Sequence, residues 1–297
     1  MDHLNESTSK IAQLSSEERI QFILGNKWVG YTRATEVLEK LNGLVTAPRT
    51  TRMRNFLLLG ASNNGKTVII DRFEKNYPMY FDDKVEDVQK QVLMIESPPY
   101  PDEVRFYQSI LRKLVVPFRT NHKAEHLFDQ VINAFQHLDL KVLIIDEVHH
   151  LNHDVGRKSS KQVFLNSIKS LSNILSISIV AVGTKEAHYV FQSDPQIASR
   201  FELITLDRWK IDKEYIRFLV SYEKILPLRK KSSLYEKELA IKILSMTDST
   251  IGGVCRVLRE AAIMAIKSGQ EKITVEVLNQ LKILPPDKMK VSSIKNI

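Results

Sequence analysis

The clearest chemistry in the sequence lies in one short segment, Gly60-Ala61-Ser62-Asn63-Asn64-Gly65-Lys66-Thr67. It is a complete G-x4-G-K-T pattern, in which glycines let backbone N–H groups turn toward phosphate oxygens. We expect Lys66 to reach the β- and γ-phosphates of a nucleotide, and the Thr67 hydroxyl to ligate Mg²⁺. An apolar run precedes the segment and a helical pattern follows it, as this motif requires. The predicted nucleotide contacts are Gly60, Ser62, Asn63, Asn64, Gly65, Lys66, Thr67 and Val68.

Two adjacent carboxylates, Asp146 and Glu147, follow a second apolar run at residues 142–145. The carboxyl ends of parallel strands meet at one edge of a sheet, so these acids are expected beside the phosphate loop. Asp146 is expected to hold Mg²⁺, and Glu147 to polarise the water that attacks the nucleotide. The two segments together predict an NTPase that hydrolyses its nucleotide with Mg²⁺.

ATP is the favoured nucleotide. A guanine-specific site would carry an N-K-x-D segment after a strand, but the segment in that place, residues 183–186, lacks the aspartate.

Three further residues are predicted to complete the site. Thr184 is a candidate sensor of the γ-phosphate, Arg200 a candidate arginine finger toward a neighbouring subunit, and Arg256 a candidate contact from a C-terminal helix. The alternatives are a strand-end threonine at position 184 and a surface arginine at position 200.

A separate metal site is not expected from the sequence. His149, His150 and His153 are close in sequence, but no cysteine or carboxylate lies among them at a known metal-binding spacing. Cys255, the single cysteine, is expected to pack in a helix.

Composition indicates a soluble globular protein of the cytoplasm. The 297 residues are 43% hydrophobic, and no run of about 18 apolar residues predicts a membrane helix. The polar N-terminus lacks the apolar stretch of a secretory signal. A single cysteine suits a reducing compartment. The formal net charge of +8 is a weak indication of a polyanionic partner such as nucleic acid.

Hydrophobic periodicity predicts an α/β fold, a parallel five-stranded sheet flanked by helices. Strands are expected at residues 56–59, 92–95, 142–145, 177–182 and 201–206. Helices are expected at residues 31–41, 65–75, 102–114, 123–137, 161–171, 211–225, 234–246, 254–266 and 275–281. Residues 42–54 are expected to form a linker. The predicted domains are an N-terminal helical extension (1–50), the nucleotide-binding α/β domain (51–207), a helical lid (208–284) and a tail (285–297).

These motifs together resemble an AAA+ ATPase and, more narrowly, the TniB/TnsC family of transposition regulators. The resemblance spans about residues 25–284. Besides the phosphate loop, it is carried by Trp28-Val29-Gly30-Tyr31-Thr32-Arg33-Ala34, Arg105-Phe106-Tyr107, Ser193-Asp194-Pro195-Gln196 and Arg200-Phe201-Glu202.

The resemblance implies a function and a set of partners. Proteins of this family bind ATP, assemble as rings or helical filaments on double-stranded DNA, and pass a target site to a DDE transposase of the TniA/TnsB type. A TniQ-like targeting protein is the other implied partner. In this family the loop that corresponds to residues 117–123 faces the DNA backbone, so Arg119, Thr120 and Lys123 are the expected contacts. The alternative is an ordinary solvated loop. The basic span 152–160 matches the family poorly.

Two other functions remain open from the sequence. A replication-type AAA+ initiator or helicase loader would share every nucleotide motif. A STAND-like signalling NTPase would bind ATP and have no DNA partner. A translocating helicase is disfavoured, because the helical C-terminal part has no room for a second nucleotide-binding core.

Overall fold

A computed structural model describes residues 1–25, 27–83, 86–152 and 158–282. Residues 153–157 of the basic span, with His153, and the predicted tail 285–297 lie outside the described residues. The chain divides into two compact units. The first unit comprises Met1–Thr35, Asn63–Gly65 and the described part of Asp207–Ile297, and the second comprises Glu36–Ser62 and Lys66–Leu206.

Seven strands form within the described residues: β1 (Asn55–Gly60), β2 (Tyr80–Asp82), β3 (Asp87–Gln89), β4 (Val92–Glu96), β5 (Val142–Asp146), β6 (Ser178–Gly183) and β7 (Phe201–Leu206). The helices of the second unit, with α3 entering it from the first, are α3 (Thr32–Thr46), α4 (Lys66–Lys75), α5 (Glu103–Lys113), α6 (Ala124–His137), α7 (Lys158–Leu175), α8 (Lys185–Gln192) and α9 (Pro195–Ala198). The first unit contains α1 (Glu6–Ile11), α2 (Ser16–Leu24), α10 (Lys213–Glu223), α11 (Lys237–Ser245), α12 (Ile251–Lys267) and α13 (Val275–Gln280).

The second unit is built on a parallel sheet with the strand order β4-β5-β6-β1-β7. Its central strands β5 and β6 are buried along their whole length, as expected for strands covered by helices on both faces. The register pairs Leu59 with Gly183 and Glu96 with Asp146. All five carboxyl ends therefore lie along the same edge of the sheet. The five-stranded α/β fold predicted from the sequence is confirmed.

Amphipathic helices supply the core of this unit. In α5 the Asp102 side chain accepts from the Arg105 N–H and caps the helix, while Phe106, Ile110 and Leu111 face the sheet and are fully buried. No helix within the described residues is both long and apolar enough to cross a membrane.

The first unit has its own core, built from helices alone. Trp209 stacks on Phe218 with ring centroids 5.2 Å apart, and Tyr215 packs at the edge of this cluster. The helix α2 begins with a capping box, in which Ser15 and Glu18 satisfy each other's backbone N–H groups. The predicted C-terminal helices are thus observed. The predicted bounds of the helical lid, residues 208–284, stay a prediction.

Several elements differ from those predicted. The helix expected at residues 31–41 continues to Thr46, because Leu44 and Val45 are buried and extend its apolar face into the predicted linker. The short elements α1, α8 and α9 and the β2–β3 hairpin were not predicted. The hairpin strands have three residues each, too few for a clear period-two pattern.

A buried ion pair joins two distant segments of the first unit. Arg19 is 1% exposed, and its two terminal nitrogens donate to the Glu271 carboxylate at 2.7 and 2.8 Å. Arg19 also donates to the Pro227 carbonyl, and Glu271 accepts from the Arg229 N–H. Bidentate geometry with further hydrogen bonds is the arrangement in which a buried pair offsets its desolvation cost.

Replacing Arg19 with methionine is expected to lower the free energy of unfolding by about 3–5 kcal/mol, because Glu271 loses the partner of its charge. Urea unfolding measures this change. Lys10→Met is the matched control in the same unit, since Lys10 forms an exposed pair with Glu6. We expect less than about 0.5 kcal/mol for the control.

The effect of Arg19→Met should also depend on pH. The hydrogen bond from Arg19 is the main cause that lowers the pKa of Glu271 from its ordinary value of 4.5. A lowered folded-state pKa contributes stability above the ordinary value, and that stability is lost as pH falls through the folded-state pKa. The difference between wild type and Arg19→Met should therefore narrow below pH 4.5. A difference that stayed constant into acid would contradict this account.

Candidate nucleotide-binding site

The phosphate loop leaves the sheet at the carboxyl end of β1. Because β1 pairs with β6 and β6 pairs with β5, the ends of these strands bring Gly60, Gly183 and Asp146 to neighbouring positions. Gly60 is close to Leu206, and a Cβ atom at Gly60 would lie 3.2 Å from the Leu206 carbonyl oxygen. A larger residue would therefore crowd the base of the loop.

Lys66 turns back over the start of its own loop. Its side chain is buried, at 6% exposure, and its Nζ donates to the carbonyls of Gly60 at 3.0 Å and Ala61 at 2.9 Å. Burial lowers the pKa of the Lys66 ammonium, while the carboxylates of Glu147 and Asp146 oppose that shift. A buried cation with movable donors is suited to binding phosphate oxygens.

Thr67 and Asp146 form the oxygen pair that a magnesium ion needs. The Thr67 hydroxyl donates to one Asp146 carboxylate oxygen at 2.8 Å, and the Glu147 N–H donates to the other at 2.8 Å. Asp146 is buried, and these two hydrogen bonds orient its carboxylate. A hydroxyl and a carboxylate are the hard ligands that Mg²⁺ takes alongside substrate phosphates, and the residues present fit this ion.

Glu147 lies at a sharp turn after β5. Its φ of +57° is in the left-handed region, which is uncommon for a residue other than glycine and is found at functional sites. The turn places its Oε2 atom 2.9 Å from His149 Nδ1. Burial is the main cause that lowers the pKa of His149, and the Glu147 carboxylate opposes the shift.

The tip of the phosphate loop, Asn63–Gly65, belongs to the first unit by its contacts. The Asn64 side chain is 3% exposed; its Oδ1 accepts from the Ile251 N–H at 3.2 Å, and its Nδ2 donates to the Asp207 carbonyl at 3.1 Å. The Gly252 N–H donates to the Asn63 carbonyl at 3.0 Å. The start of α12 is thereby bonded to two asparagines of the loop.

Replacing Asn64 with alanine is expected to destabilise the chain by about 1–3 kcal/mol, because a buried N–H and a carbonyl lose their partner. Thermal unfolding without nucleotide measures this. Ser62→Ala is the control, since Ser62 is exposed in the same loop. Equal melting temperatures for Asn64→Ala and Ser62→Ala would contradict the proposed strength of these bonds.

The other predicted nucleotide residues have the following places. Val68 is 54% exposed on α4. Thr184 follows β6, and its hydroxyl donates to the Glu186 carboxylate. Arg200 follows α9, and its Nη1 donates to Asn173 Oδ1 at 2.6 Å. Arg256 is exposed in the second turn of α12, in the first unit. Their roles as sensor, finger and nucleotide contact remain predictions.

The loop predicted to face DNA connects α5 and α6. Arg119, Thr120 and Lys123 are exposed there, and the Thr120 carbonyl accepts from the Gln108 side chain at 3.3 Å. Exposed basic side chains on a tethered loop are compatible with phosphate contacts. Contact with DNA remains a prediction.

Sequence reasoning missed two features of the site. The sequence indicates the Glu147–His149 pair only weakly. The two residues are two positions apart, and their side chains meet because the backbone of Glu147 has a left-handed conformation. The bond from Ile251 to Asn64 joins residues 187 positions apart, and no local pattern indicates it.

Comparison with solved structures identifies the architecture. The ORC2 protein of Aeropyrum pernix, solved as ADPNP-ADP complexes, matches with a TM-score of 0.60 at 14% identity, over 87% of this chain and 70% of that one. CDC6p of Pyrobaculum aerophilum matches with a TM-score of 0.60 at 19% identity, over 86% and 68%. The Aeropyrum pernix ORC1 protein, solved in complex with DNA, matches with a TM-score of 0.55 at 14% identity, over 88% and 67%. At these identities the likeness shows the AAA+ fold alone.

Sequence comparison gives the family. No curated protein matches the sequence. Residues 19–211, well over half of the chain, match the family described as Bacterial TniB protein. This agrees with the resemblance carried by the phosphate loop and its flanking segments. The chain belongs to the TniB family and has the fold of an AAA+ ATPase.

Proposed function

We propose that this protein is an ATP-dependent, DNA-binding regulator of transposition, which assembles on target DNA and recruits or activates a DDE transposase. The observation that carries the proposal is the contact of Thr67 with Asp146 beside the buried Lys66, in a chain of the TniB family. This arrangement fits ATP and Mg²⁺, and family membership connects it with transposition.

Each residue of the site has a distinct task in ATP hydrolysis. Lys66 exchanges its bonds with the Gly60 and Ala61 carbonyls for bonds to the β- and γ-phosphates. Thr67 and Asp146 would hold Mg²⁺, and the bound ion would supply positive charge to offset the charge of the phosphates. Glu147 orients the attacking water and accepts its proton. Thr184 senses the γ-phosphate at the end of β6.

Assembly between subunits depends on Arg200. It reaches the γ-phosphate bound by the next subunit, so ATP joins neighbouring copies and hydrolysis releases that link. Such a head-to-tail contact generates rings or open helical filaments. Arg119, Thr120 and Lys123 then contact the DNA backbone without reading its sequence. A TniA/TnsB-like transposase and a TniQ-like targeting protein bind the assembled form in the bacterial cytoplasm.

Mixing two inactive variants tests the subunit contact. Lys66→Ala keeps the proposed arginine finger, Arg200, and Arg200→Ala keeps an intact phosphate loop. An equimolar mixture contains contacts that join an intact finger to an intact loop, so it should hydrolyse ATP faster than either variant alone. Arg54→Ala is the control for surface charge, since Arg54 forms an exposed pair with Glu202. A mixture no more active than its components would refute the role of Arg200 in the neighbouring site.

Strand transfer tests the proposed function itself. A DDE transposase encoded by a neighbouring gene should insert its donor DNA into target DNA to which this protein has bound in the presence of ATP. Omission of ATP, or use of Lys66→Ala, should abolish the stimulation. Stimulation that is independent of ATP and of Lys66 would contradict the proposal.

A replication-type initiator is the second candidate. The observation that favours it is the fold likeness to the ORC and CDC6 proteins, one of which was solved in complex with DNA. A gene neighbourhood with a transposase supports the regulator. Loading of a replicative helicase by the purified protein would support the initiator.

A further inference from the structure

Three side chains with metal-binding atoms lie together just after β5. They are Glu147, His149 and His150, and one ligand atom from each lies within 4.8 Å of the others. All three are half-buried. His149 Nδ1 is 2.9 Å from Glu147 Oε2, and the two imidazole rings have centroids 4.6 Å apart.

The backbone under this cluster is firmly held. The residues from Val148 to Asn152 form a 3-10 helix whose apolar members, Val148 and Leu151, are fully buried. The end of β6 packs tightly on it, since a Cβ atom at Gly183 would lie 3.3 Å from the His149 backbone nitrogen. The histidines therefore project from a fixed turn, which reduces the entropy lost when they bind a ligand.

We propose that Glu147, His149 and His150 form a binding site for Zn²⁺ or a chemically similar divalent transition ion, separate from the magnesium pair of Thr67 and Asp146. Two imidazoles and one carboxylate are a ligand set of catalytic zinc sites, which leave a fourth position open. Zinc bonds of about 2.0–2.2 Å place tetrahedral ligands about 3.3–3.6 Å apart. The three ligand atoms lie within 4.8 Å of one another, so small side-chain rotations would bring them to this separation around an ion.

The chemistry of the donors separates the two metal sites. Imidazole nitrogens favour zinc-class ions, whereas the hydroxyl and carboxylate oxygens of Thr67 and Asp146 favour Mg²⁺. An excess of Mg²⁺ therefore does not displace an ion held by His149 and His150.

Zinc binding is expected to affect ATP hydrolysis. This expected effect on hydrolysis, unlike the metal site itself, rests on the proposed function. A Glu147 carboxylate that ligates zinc cannot accept a proton from the attacking water. Zn²⁺ is expected to block hydrolysis while ATP binding to the phosphate loop persists. The site would act as an inhibitory metal site on the general base.

The test begins with metal binding to the full chain without nucleotide. Co²⁺ serves as the probe, because its visible absorption reports tetrahedral nitrogen and oxygen ligands, and Zn²⁺ added afterwards should abolish that absorption. His150→Ala and His149→Ala should each weaken Co²⁺ binding at least about 10-fold, since each removes one of three ligands. The double variant His122→Ala/His126→Ala is the matched control, because it removes another pair of neighbouring imidazoles. It should bind Co²⁺ as wild type does.

The outcomes separate the site from the proposed function. Absence of tetrahedral absorption, or equal binding by wild type and both single variants, would overturn the metal site. Loss of binding in the double variant alone would also overturn it, by moving the ion to His122 and His126. If Co²⁺ binds as expected but the metal-free protein hydrolyses no ATP, the site stands and the proposed function fails. If Zn²⁺ blocks hydrolysis in wild type but not in His150→Ala, both stand.

Discussion

Glutamine in place of Glu147 should slow ATP hydrolysis by about 100- to 10,000-fold, which is the range of a lost general base. The change keeps the size of the side chain and removes its ability to accept a proton. ATP binding should persist, because Lys66, Thr67 and Asp146 are unchanged. Phosphate release measures the hydrolysis rate, and equilibrium binding of a fluorescent ATP analogue measures affinity.

Glu96→Gln is the matched control for this experiment. Glu96 ends β4 in register with Asp146, so it is a carboxylate at the same edge of the sheet, and it is exposed where Glu147 is half-buried. It should hydrolyse ATP at the wild-type rate. Hydrolysis by Glu147→Gln within a factor of about three of wild type would exclude Glu147 as the general base.

Alanine in place of Lys66 should weaken ATP binding at least about 100-fold. Hydrogen bonds to charged groups contribute about 1.5–3 kcal/mol each, and Lys66 is expected to make bonds to two phosphates. The loop loses the buried cation that balances Asp146 and Glu147, so phosphate would meet uncompensated negative charge.

Lys75→Ala provides the comparison for Lys66→Ala. Lys75 ends the same helix α4 and forms an exposed pair with Asp71. Its ATP affinity should equal that of wild type. Similar ATP affinities for Lys66→Ala and Lys75→Ala would mean that the loop does not bind phosphate in the proposed way.

The sheet and the centre of the site could be predicted because their signals are local. The run at residues 142–145 is apolar throughout, and a strand covered on both faces requires that pattern. Lys66 and Thr67 follow from the G-x4-G-K-T spacing, and Asp146 from its place after an apolar strand. The contact between Thr67 and Asp146 then follows from parallel strand order.

The features that were missed depend on tertiary contacts. Burial of Leu44 and Val45 extends α3 beyond the point where its sequence turns polar. Asn64 bonds to the backbone N–H of Ile251 and the backbone carbonyl of Asp207, groups that any sequence could supply. His149 contacts Glu147 because the backbone of Glu147 is in the left-handed region, and a glutamate in the sequence does not indicate that conformation.

The most direct test of the account is sedimentation of the purified protein with duplex DNA, with ATP, ADP or no nucleotide, at two salt concentrations. We predict large complexes with ATP only, weakened by higher salt because Lys and Arg side chains displace counterions from the phosphates. Lys66→Ala and Arg200→Ala should not form them. Wild-type protein that ignores DNA in every nucleotide state would contradict the account and favour a signalling NTPase.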